Sequence, residues 1–382
     1  METKCIRLGD CILCNPKVKL TKGELYPVID IDKITVGRKY VSNKTFITFA
    51  GQSGCKFENG DTLMARITPC LENGKMAVAK IASKGLGSTE LFVFRSKDGV
   101  TDEEFVYYLL KQQYIRNLAA NSMTGASGRQ RADLKFIKRI KIQLPNLDVQ
   151  HCIASILSTY DTLMENNTKR IRLLEKMAEN LYKEWFVRFR FPGHENVEME
   201  NGLPKGWKVK KYEDEFNVKY GKGLPTDKLT KDGFPVFGSN GQIGYYTSYM
   251  YETPQILISC RGASSGVVNI SLPKSFITNN SLICEMTNET ESVFEYLKYC
   301  FLNTNLVQYQ TGSAQPQITI NNIVKLKLLI PSTDVQIKFA DKVRTLDKEV
   351  GNLQHQNSLL ARQRDLLLPR LMSGKLEVKV KE

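Results

Sequence analysis

Several classes of protein are excluded by what this chain of 382 residues lacks. It has no apolar run near the roughly 18 residues that a membrane-spanning helix needs, and Met1-Glu2-Thr3-Lys4 does not open a signal peptide. We therefore expect a soluble protein that stays in the cytoplasm. The phosphate-binding pattern Gly-x-x-x-x-Gly-Lys-Ser/Thr is also missing, which excludes a P-loop nucleotide hydrolase.

Residues that hold metals are few and poorly placed. The three histidines, His151, His194 and His355, lie far apart in the sequence. Cys11 and Cys14 have the spacing of two zinc ligands, but a structural zinc site usually needs a second such pair, which the sequence does not supply. The nine cysteines are otherwise scattered, as in a protein with reduced thiols. We expect no metal to be bound by this chain.

Motifs for catalysis are equally scarce. Asp133-Leu134-Lys135 and Glu377-Val378-Lys379 have the acidic-x-Lys pattern of metal-dependent nucleases, which arises by chance in a chain with this many lysines. Gly221-Lys222-Gly223 is too short for a dinucleotide-binding fingerprint, and the Asn-Pro-Pro-aromatic motif of amino-methyltransferases is absent. The sequence therefore predicts a protein without a catalytic site.

What the chain has in excess is positive charge. Its 54 lysines and arginines outnumber 40 aspartates and glutamates, which gives a formal net charge of +14. Contacts to phosphates need cationic side chains and release counterions, so this excess favours a polyanionic partner such as nucleic acid. Composition alone leaves open a basic protein without such a partner.

The strongest internal signal is a long repeat. The first copy consists of Thr124-Gly125-Ala126-Ser127, Ile140-Lys141-Ile142-Gln143-Leu144-Pro145 and Asp148-Val149-Gln150. The second copy consists of Thr311-Gly312-Ser313-Ala314, Leu326-Lys327-Leu328-Leu329-Ile330-Pro331 and Asp334-Val335-Gln336. Pro145 and Pro331 are 186 positions apart (331 minus 145). A period of that length is too long for a solenoid and indicates a duplicated domain.

A long helical pattern follows each Pro-x-x-Asp-Val-Gln segment. Apolar residues recur there at alternating steps of three and four, the seam of a coiled coil, over roughly 30 residues or about 45–50 Å. Asp148 and Asp334 stand where the N-caps of these helices are expected. Pro369 is expected to end the second helix near Leu368.

The two seams match when they are paired antiparallel, with facing residue numbers that sum to 524. Asn167 then faces Asn357, and Tyr160 faces Arg364 in a stacked cation–π pair. A buried Asn is tolerated opposite another amide but is costly opposite an aliphatic side chain, so the amide pair would fix the register. Other facing pairs are Leu174 and Val350, Ile153 and Leu371, and Trp185 and Phe339. The alternative is that each helix packs separately on its own domain.

These patterns predict an α+β protein with a duplicated globular domain rich in short strands. Two long antiparallel coiled-coil helices would separate the two copies, with pseudo-two-fold symmetry. The predicted segments are a first domain, a central helix, a second domain, a distal helix and a tail, at 1–147, 148–190, 191–333, 334–376 and 377–382. Such an arrangement suits two separated DNA sites in inverted orientation.

Loops rich in cations, amides and glycine are the candidate DNA contacts. Arg and Lys read guanine edges, Asn and Gln read adenine, and glycine lets the backbone approach phosphate. In the first domain the candidates are Arg66, Asn73, Lys75, Arg129, Gln130, Arg131 and Lys135. In the second domain they are Ser239, Asn240, Gln242, Arg261, Ser264, Gln315 and Gln317. The alternative for any one of them is an ordinary turn.

Three further segments accompany the duplicated block. They are Leu181-Tyr182-Lys183-Glu184-Trp185-Phe186-Val187 with Phe191-Pro192, then Leu203-Pro204-Lys205-Gly206-Trp207, then Leu367-Leu368-Pro369-Arg370-Leu371-Met372-Ser373-Gly374. In this combination and at this spacing, the chain resembles the specificity subunits of type I restriction-modification systems over nearly its whole length.

The resemblance implies that each domain reads one half of an interrupted, asymmetric double-stranded DNA site, with the helix length setting the gap. It implies that two methylation subunits dock on the helical regions and that restriction subunits join them. S-adenosylmethionine, ATP and Mg would belong to those partner subunits, whereas this non-catalytic chain binds no cofactor. An orphan or methylation-only specificity subunit and a non-DNA coiled-coil scaffold are the alternatives.

Overall fold

The computed structural model describes residues 3–42, 45–125, 129–287, 290, 292–312 and 315–378. The chain divides into two compact units. Unit 1 comprises Met1–Arg170 and Asn352–Glu382, and unit 2 comprises Ile171–Gly351. Each unit therefore contains one globular domain and a part of both long helices.

Unit 1 consists of short strands and a few helices. Its strands are β1 (Thr3–Arg7), β2 (Ile12–Cys14), β3 (Leu25–Ile29), β4 (Tyr40–Val41), β5 (Phe46–Thr48), β6 (Cys55–Glu58), β7 (Thr62–Ala65), β8 (Met76–Ala79), β9 (Lys84–Gly87), β10 (Leu91–Ser96) and β11 (Lys141–Pro145). Its helices are α1 (Leu8–Cys11), α2 (Glu103–Lys111), α3 (Gln113–Asn121), α4 (Leu134–Arg139) and the first part of α5 (Leu147–Tyr182).

Two sheets form most of the globular domain of unit 1. Strands β2, β10, β7, β8 and β4 lie side by side in the first sheet, and β5, β3, β9 and β6 in the second. All residues of β7 and β8 are buried, as expected for strands that are covered on both faces. Helix α2 buries every residue from Phe105 to Leu110 in a core that also contains the start of α5 and the end of the last helix.

Unit 2 likewise consists of short strands and a few helices. Its strands are β12 (Met199–Glu200), β13 (Leu203–Pro204), β14 (Lys208–Lys211), β15 (Phe216–Tyr220), β16 (Phe234–Gly238), β17 (Gly241–Tyr246), β18 (Ile256–Ser259), β19 (Val268–Ile270), β20 (Phe276–Ile277), β21 (Ser281–Met286) and β22 (Lys327–Ile330). Its helices are α6 (Tyr212–Glu215), α7 (Phe294–Leu302), α8 (Ile320–Ile323) and the first part of α9 (Thr333–Met372). Its largest sheet has the strand order β15-β21-β18-β19.

The order of elements confirms that the domain is duplicated. In unit 1 the first strand, β1, pairs antiparallel with β11, the strand that precedes α5. In unit 2 the corresponding strands β14 and β22 pair in the same way before α9. The central antiparallel pair β7–β10 has its counterpart in β18–β21, and each pair is followed by a helix, α2 or α7. The predicted α+β class is therefore correct.

The long helices exceed the roughly 30 residues predicted, since α5 has 36 residues and α9 has 40. They begin at Leu147 and Thr333, so Asp148 and Asp334 occupy the second helical position and the predicted N-caps were wrong by two residues. At α5 the cap is Asn146, whose Oδ1 accepts a hydrogen bond of 3.0 Å from the backbone of Val149. No described helix combines the length and apolar character needed to cross a membrane.

Pro369 lies inside α9, which continues to Met372, so the prediction that the helix ends near Leu368 was wrong. An interior proline costs a helix about 3 kcal/mol, mainly through a lost backbone hydrogen bond. Leu368, Leu371 and Met372 are buried in the core of unit 1, and burial stabilises each by about 1.5–3 kcal/mol. Their packing outweighs the cost of the proline.

Candidate nucleic-acid interface

In unit 1 the cationic segment before α4 folds against the turn that follows β7. The carbonyl of Gln130 accepts a hydrogen bond of 3.0 Å from the backbone of Thr68. Two residues later, the backbone of Ala132 donates to the carbonyl of Arg66 over 2.8 Å. The structure thus brings together Arg66, Gln130 and Arg131, which the sequence places in separate segments.

An open pocket of about 630 Å³ lies at this contact and includes Arg66, Arg131 and Lys135 in its lining. Arg131 is held by Glu90, because its guanidinium donates to both carboxylate oxygens over 2.6–3.0 Å. The hydrogen bonds lower the pKa of Glu90 and raise the pKa of Arg131. Paired in this way, Arg131 adds little net charge. Lys135 is exposed on α4 and forms no salt bridge with another described residue.

The other candidates of the first domain are not gathered at this pocket. Asn73 and Lys75 lie in the turn between β7 and β8, outside the pocket lining. The Lys75 ammonium donates to the carbonyl of Ile31 over 3.0 Å, which gives this lysine a structural contact. Arg129 is exposed and adjoins residues 126–128, which the structure does not describe.

In unit 2 the candidate loops meet at the end of β18. The hydroxyl of Ser259, the last residue of β18, donates to the carbonyl of Ser239 in the β16–β17 hairpin. Arg261 forms an antiparallel bridge with Gln317. The exposed side chains in these three segments are Asn240, Gln242, Arg261, Gln315 and Gln317, with Ser264 partly exposed. The structure thus collects most of the second-domain candidates on one edge.

The two loop systems share a backbone scaffold. In unit 1, Arg131 and Thr124 exchange backbone hydrogen bonds of 3.0 and 3.1 Å. In unit 2, Gln317 and Thr311 exchange the corresponding bonds of 2.8 and 2.9 Å. An arginine in the first unit therefore has a glutamine at the equivalent place in the second. The same fold presents different hydrogen-bonding groups, as two readers of different sequences would require.

Within unit 1, α5 and the end of α9 pair antiparallel around an amide cluster. The side-chain nitrogen of Asn167 donates to Asn357 Oδ1 over 3.0 Å and to Gln356 Oε1 over 2.9 Å. Asn167 is buried, and Asn357 is half-buried. The contact between the two asparagines is the one that the antiparallel register predicts.

Replacing Asn357 by leucine is expected to lower the free energy of unfolding of unit 1 by about 1 kcal/mol, because buried Asn167 loses one of its two partners. The double variant Asn167→Leu/Asn357→Leu should recover most of that loss, since both amides are then replaced by apolar groups. Urea unfolding of the three proteins measures both differences. A double variant no more stable than Asn357→Leu would contradict the pairing.

Arg364 has a different partner from the one expected. Instead of stacking on Tyr160, it forms a salt bridge with Asp161, the next residue of α5. Only 1% of Arg364 and 4% of Asp161 is exposed. The hydroxyl of Tyr108 in α2 donates to the same carboxylate over 2.5 Å. The expectation failed because a buried guanidinium gains far more from a carboxylate than from an aromatic face.

Within unit 2, α9 packs against the end of α5 through aromatic side chains. The rings of Trp185 and Phe339, a pair expected from the register, lie 5.9 Å apart. Leu174 and Val350 are both partly buried on these helices. The continuous π-helical turn Lys183–Val187 carries Trp185 into this cluster.

A tyrosine–aspartate hydrogen bond ties the globular domain to a long helix in both units. In unit 2, Tyr299 of α7 donates to Asp347 of α9 over 2.8 Å, and Lys298 adds a salt bridge of 2.7 Å. Asp347 lies 186 positions after Asp161 (347 minus 161), so the bond is part of the duplication. The cation beside it differs, being Arg364 in unit 1 and Lys298 in unit 2.

Comparison with known protein families decides the family. The model described as "Type I restriction modification DNA specificity domain" matches residues 3–176 and 204–361, one match for each half of the chain. The chain belongs to this family.

Relatives of this type I specificity-domain protein align with most of its length. The MjaIX specificity subunit of Methanocaldococcus jannaschii is 29% identical over 74% of this chain and 71% of its own. The MjaVIII specificity subunit of the same organism is 22% identical over 99% of this chain and 94% of its own. A crystal structure of the S subunit of a type I restriction-modification system from M. genitalium superposes with a TM-score of 0.51 at 20% identity, covering 97% and 96% of the two chains. That structure supports the fold.

Of the motifs considered for metal chemistry, the structure shows the surroundings of two, the Cys11–Cys14 pair and Asp133-Leu134-Lys135. Within the described ranges, no group of three or more His, Cys, Asp or Glu residues is placed to hold a metal. Burial raises the pKa of Cys11 to about 12 and that of Cys14 to about 11, which disfavours the thiolates that zinc binds. Asp133 caps α4 by accepting a hydrogen bond of 2.8 Å from the backbone of Lys135. Ala126, Ser127, Ser313, Ala314 and Lys379 lie outside the described residues.

The sequence reasoning missed three residues of this specificity-domain protein. Phe92 lines the pocket beside Arg66, and Glu90 holds Arg131, but both lie far from the cationic loop in the sequence and carry no motif. Asp161 was also missed, although a signal existed. An acidic residue recurs at the 186-residue offset, as Asp347, and this recurrence indicated a duplicated role.

Proposed function

We propose that this chain is the sequence-specific DNA-binding subunit of a type I restriction-modification system. Each globular domain reads one part of an interrupted, asymmetric double-stranded DNA site. The observation that carries the proposal is the pair of specificity-domain matches, each covering a set of equivalent loops with different side chains. A duplicated scaffold with unlike contact residues suits a two-part site whose halves differ in sequence.

In this role the chain positions other subunits and performs no chemistry itself. Two methylation subunits dock on the helical regions, and restriction subunits join them. S-adenosylmethionine, ATP and Mg act in those partners, and this chain holds no cofactor. The excess of positive charge supports binding to DNA, because the phosphate backbone contributes a large share of affinity in such complexes.

Methylome sequencing tests the proposal directly. DNA from cells that express this chain with its neighbouring methylation subunit should carry one interrupted adenine-methylation motif, absent when this chain is omitted. Exchanging residues 200–333 for those of another specificity subunit should change one part of the motif and leave the other part intact. This result would assign one part of the site to each domain.

Assays of restriction, of complex formation and of duplex binding on the same proteins separate the alternatives. Methylation without restriction of unmodified DNA would identify a methylation-only or orphan subunit. Formation of the complex with the methylation subunit but no motif would contradict sequence reading by this chain. Absence of both complex formation and binding to duplex DNA at low salt would favour a coiled-coil scaffold.

A further inference from the structure

The pocket of unit 1 contains an arginine, Arg66, with one unsatisfied hydrogen-bond donor among the described residues. Arg66 follows β7, and its guanidinium carbon lies 4.9 Å from the centre of the Phe92 ring. The Nε atom of Arg66 is buried and has no hydrogen-bond partner among the described residues. A buried donor left unpaired costs about 1–3 kcal/mol, so the conformation suits an acceptor supplied from outside the chain.

The rim of the pocket adds further positive charge. Lys135 and Lys138 lie one helical turn apart on α4, and both are exposed and line the pocket. Neither forms a salt bridge with a described residue. Glu90 is paired with Arg131, and Asp133, which lines the pocket, accepts one backbone hydrogen bond as the cap of α4. The pocket is nevertheless net positive, because its lining contains one acid, Asp133, and four cations, Arg66, Arg131, Lys135 and Lys138.

Unit 2 has the same scaffold without these cations. Its backbone bond from Ile318 to the carbonyl of Cys260, 3.0 Å long, corresponds to the bond from Ala132 to Arg66. Cys260 thus stands at the place of Arg66. At the offset of 186 positions, Asn321 replaces Lys135 and Val324 replaces Lys138. The cluster of Arg66, Lys135 and Lys138 is therefore specific to unit 1, although the two units share the same backbone arrangement at this place.

We propose that this pocket binds a backbone phosphate of DNA and that the counterpart in unit 2 does not. The proposal rests on the proposed function, since it assumes a DNA ligand. Two exposed lysines beside an arginine suit phosphate oxygens, because a lysine ammonium acts as a point charge that needs no fixed hydrogen-bond geometry. Phosphate contacts set the position of the protein on the duplex without reading sequence. Unit 1 therefore anchors the protein electrostatically, and unit 2, whose corresponding edge exposes Arg261 among neutral amides, contributes less to this contact.

The salt dependence of binding tests this assignment. The slope of log affinity against log salt concentration is negative, and each phosphate contact makes it steeper by about 0.9. We expect the full-length Lys135→Gln/Lys138→Gln variant to lose about one such contact, since the pocket binds one phosphate. Between about 50 and 200 mM salt, wild type should then lose about 3.5-fold more affinity for a random-sequence duplex than the variant loses. Arg66→Met, which keeps the packing on Phe92, should also reduce the slope.

A matched control removes the same charge elsewhere. Lys342 and Lys348 are exposed on α9 and form no salt bridge with a described residue. Lys342→Gln/Lys348→Gln should leave the salt slope close to that of wild type. Circular dichroism melting of every variant shows whether the fold is retained.

The outcomes separate this proposal from the function on which it rests. The variant should keep the wild-type ratio of affinities for the methylated motif and for random duplex, because a phosphate contact is independent of sequence. An unchanged salt slope, or a preference altered at one base pair, would overturn the phosphate assignment while leaving the DNA-reading function intact. A wild-type chain that binds the motif no better than random duplex would instead defeat the proposed function.

Discussion

Replacing Arg364 by methionine is expected to lower the free energy of unfolding of unit 1 by about 3–5 kcal/mol. Methionine fills a similar length but leaves the buried Asp161 side chain without its guanidinium partner, with Tyr108 as its remaining hydrogen-bond donor and Lys39 as the other nearby cation. Removing one partner of a buried ion pair is costly mainly because the other charge stays behind without compensation. The loss should therefore exceed that of any exposed ion pair of this chain.

The distribution of tryptophan makes this prediction easy to measure. Both tryptophans, Trp185 and Trp207, lie in unit 2, so their fluorescence reports the unfolding of that unit. Hydrogen exchange in α2 and the first half of α5 reports unit 1. We expect Arg364→Met to accelerate exchange in unit 1 and to leave the fluorescence transition nearly unchanged.

Two further variants show whether the uncompensated charge is the cause. Arg364→Met/Asp161→Asn removes both charges and keeps an oxygen that can accept from Tyr108, so it should recover most of the stability. Lys298→Met breaks the corresponding pair in unit 2. The side chain of Asp347 there is 31% exposed, so the loss should not exceed about 1 kcal/mol. A double variant as unstable as Arg364→Met would show that lost packing is responsible.

The long-range organisation of this protein follows from its sequence because it depends on periodicity. A seam with one amide in each helix has one antiparallel register that pairs the amides, and Asn167 meets Asn357 as that register requires. The same pattern gave no warning of Asp161, since a carboxylate beside an apolar seam ordinarily faces solvent. Its burial depends on Tyr108 and Arg364, which come from two other helices. Only the recurrence of the aspartate at the duplication offset indicated its role.

The candidate DNA-binding loops show what the sequence could not predict. Arg66 and the cationic segment before α4 were identified by residue type, yet nothing in the sequence indicated that they form one pocket. Their contact depends on backbone hydrogen bonds between segments separated by three strands and two helices. Residue type also failed to show that Arg131 is neutralised by Glu90 and that Lys75 contacts a backbone carbonyl. Charge predicts a binding surface, whereas the partners of each cation depend on tertiary structure.

The second large effect is expected at the glutamine of the duplicated Pro-x-x-Asp-Val-Gln motif. Gln150 is fully buried, and its side chain accepts from the backbone of Asp102 over 3.0 Å. It also donates to the carbonyls of Val100 and Pro145 over 3.0 and 2.9 Å. One side chain thus joins the start of α2, the end of β11 and the first turn of α5. The motif holds the globular domain on the long helix.

Gln336 has the corresponding role in unit 2. Its side chain accepts from the backbone of Val293 and donates to the carbonyl of Pro331, both over 2.8 Å. Gln150→Leu leaves three backbone groups without these partners, one buried and two partly buried, and should cost unit 1 about 3 kcal/mol, at roughly 1 kcal/mol for each hydrogen bond. Gln336→Leu removes two such bonds and should cost unit 2 about 2 kcal/mol. The larger effect is therefore expected in unit 1.

Hydrogen exchange locates each effect at a single amide. Gln150→Leu should accelerate exchange at Asp102, and Gln336→Leu at Val293, each without affecting the other unit. Gln354→Leu makes the same substitution at an exposed position of α9 and should change stability by less than about 0.5 kcal/mol. Equal losses for all three substitutions would mean that the glutamines do not hold the junction. If the predicted ranking holds, the duplicated motif holds each globular domain on its long helix and has a structural role in both units.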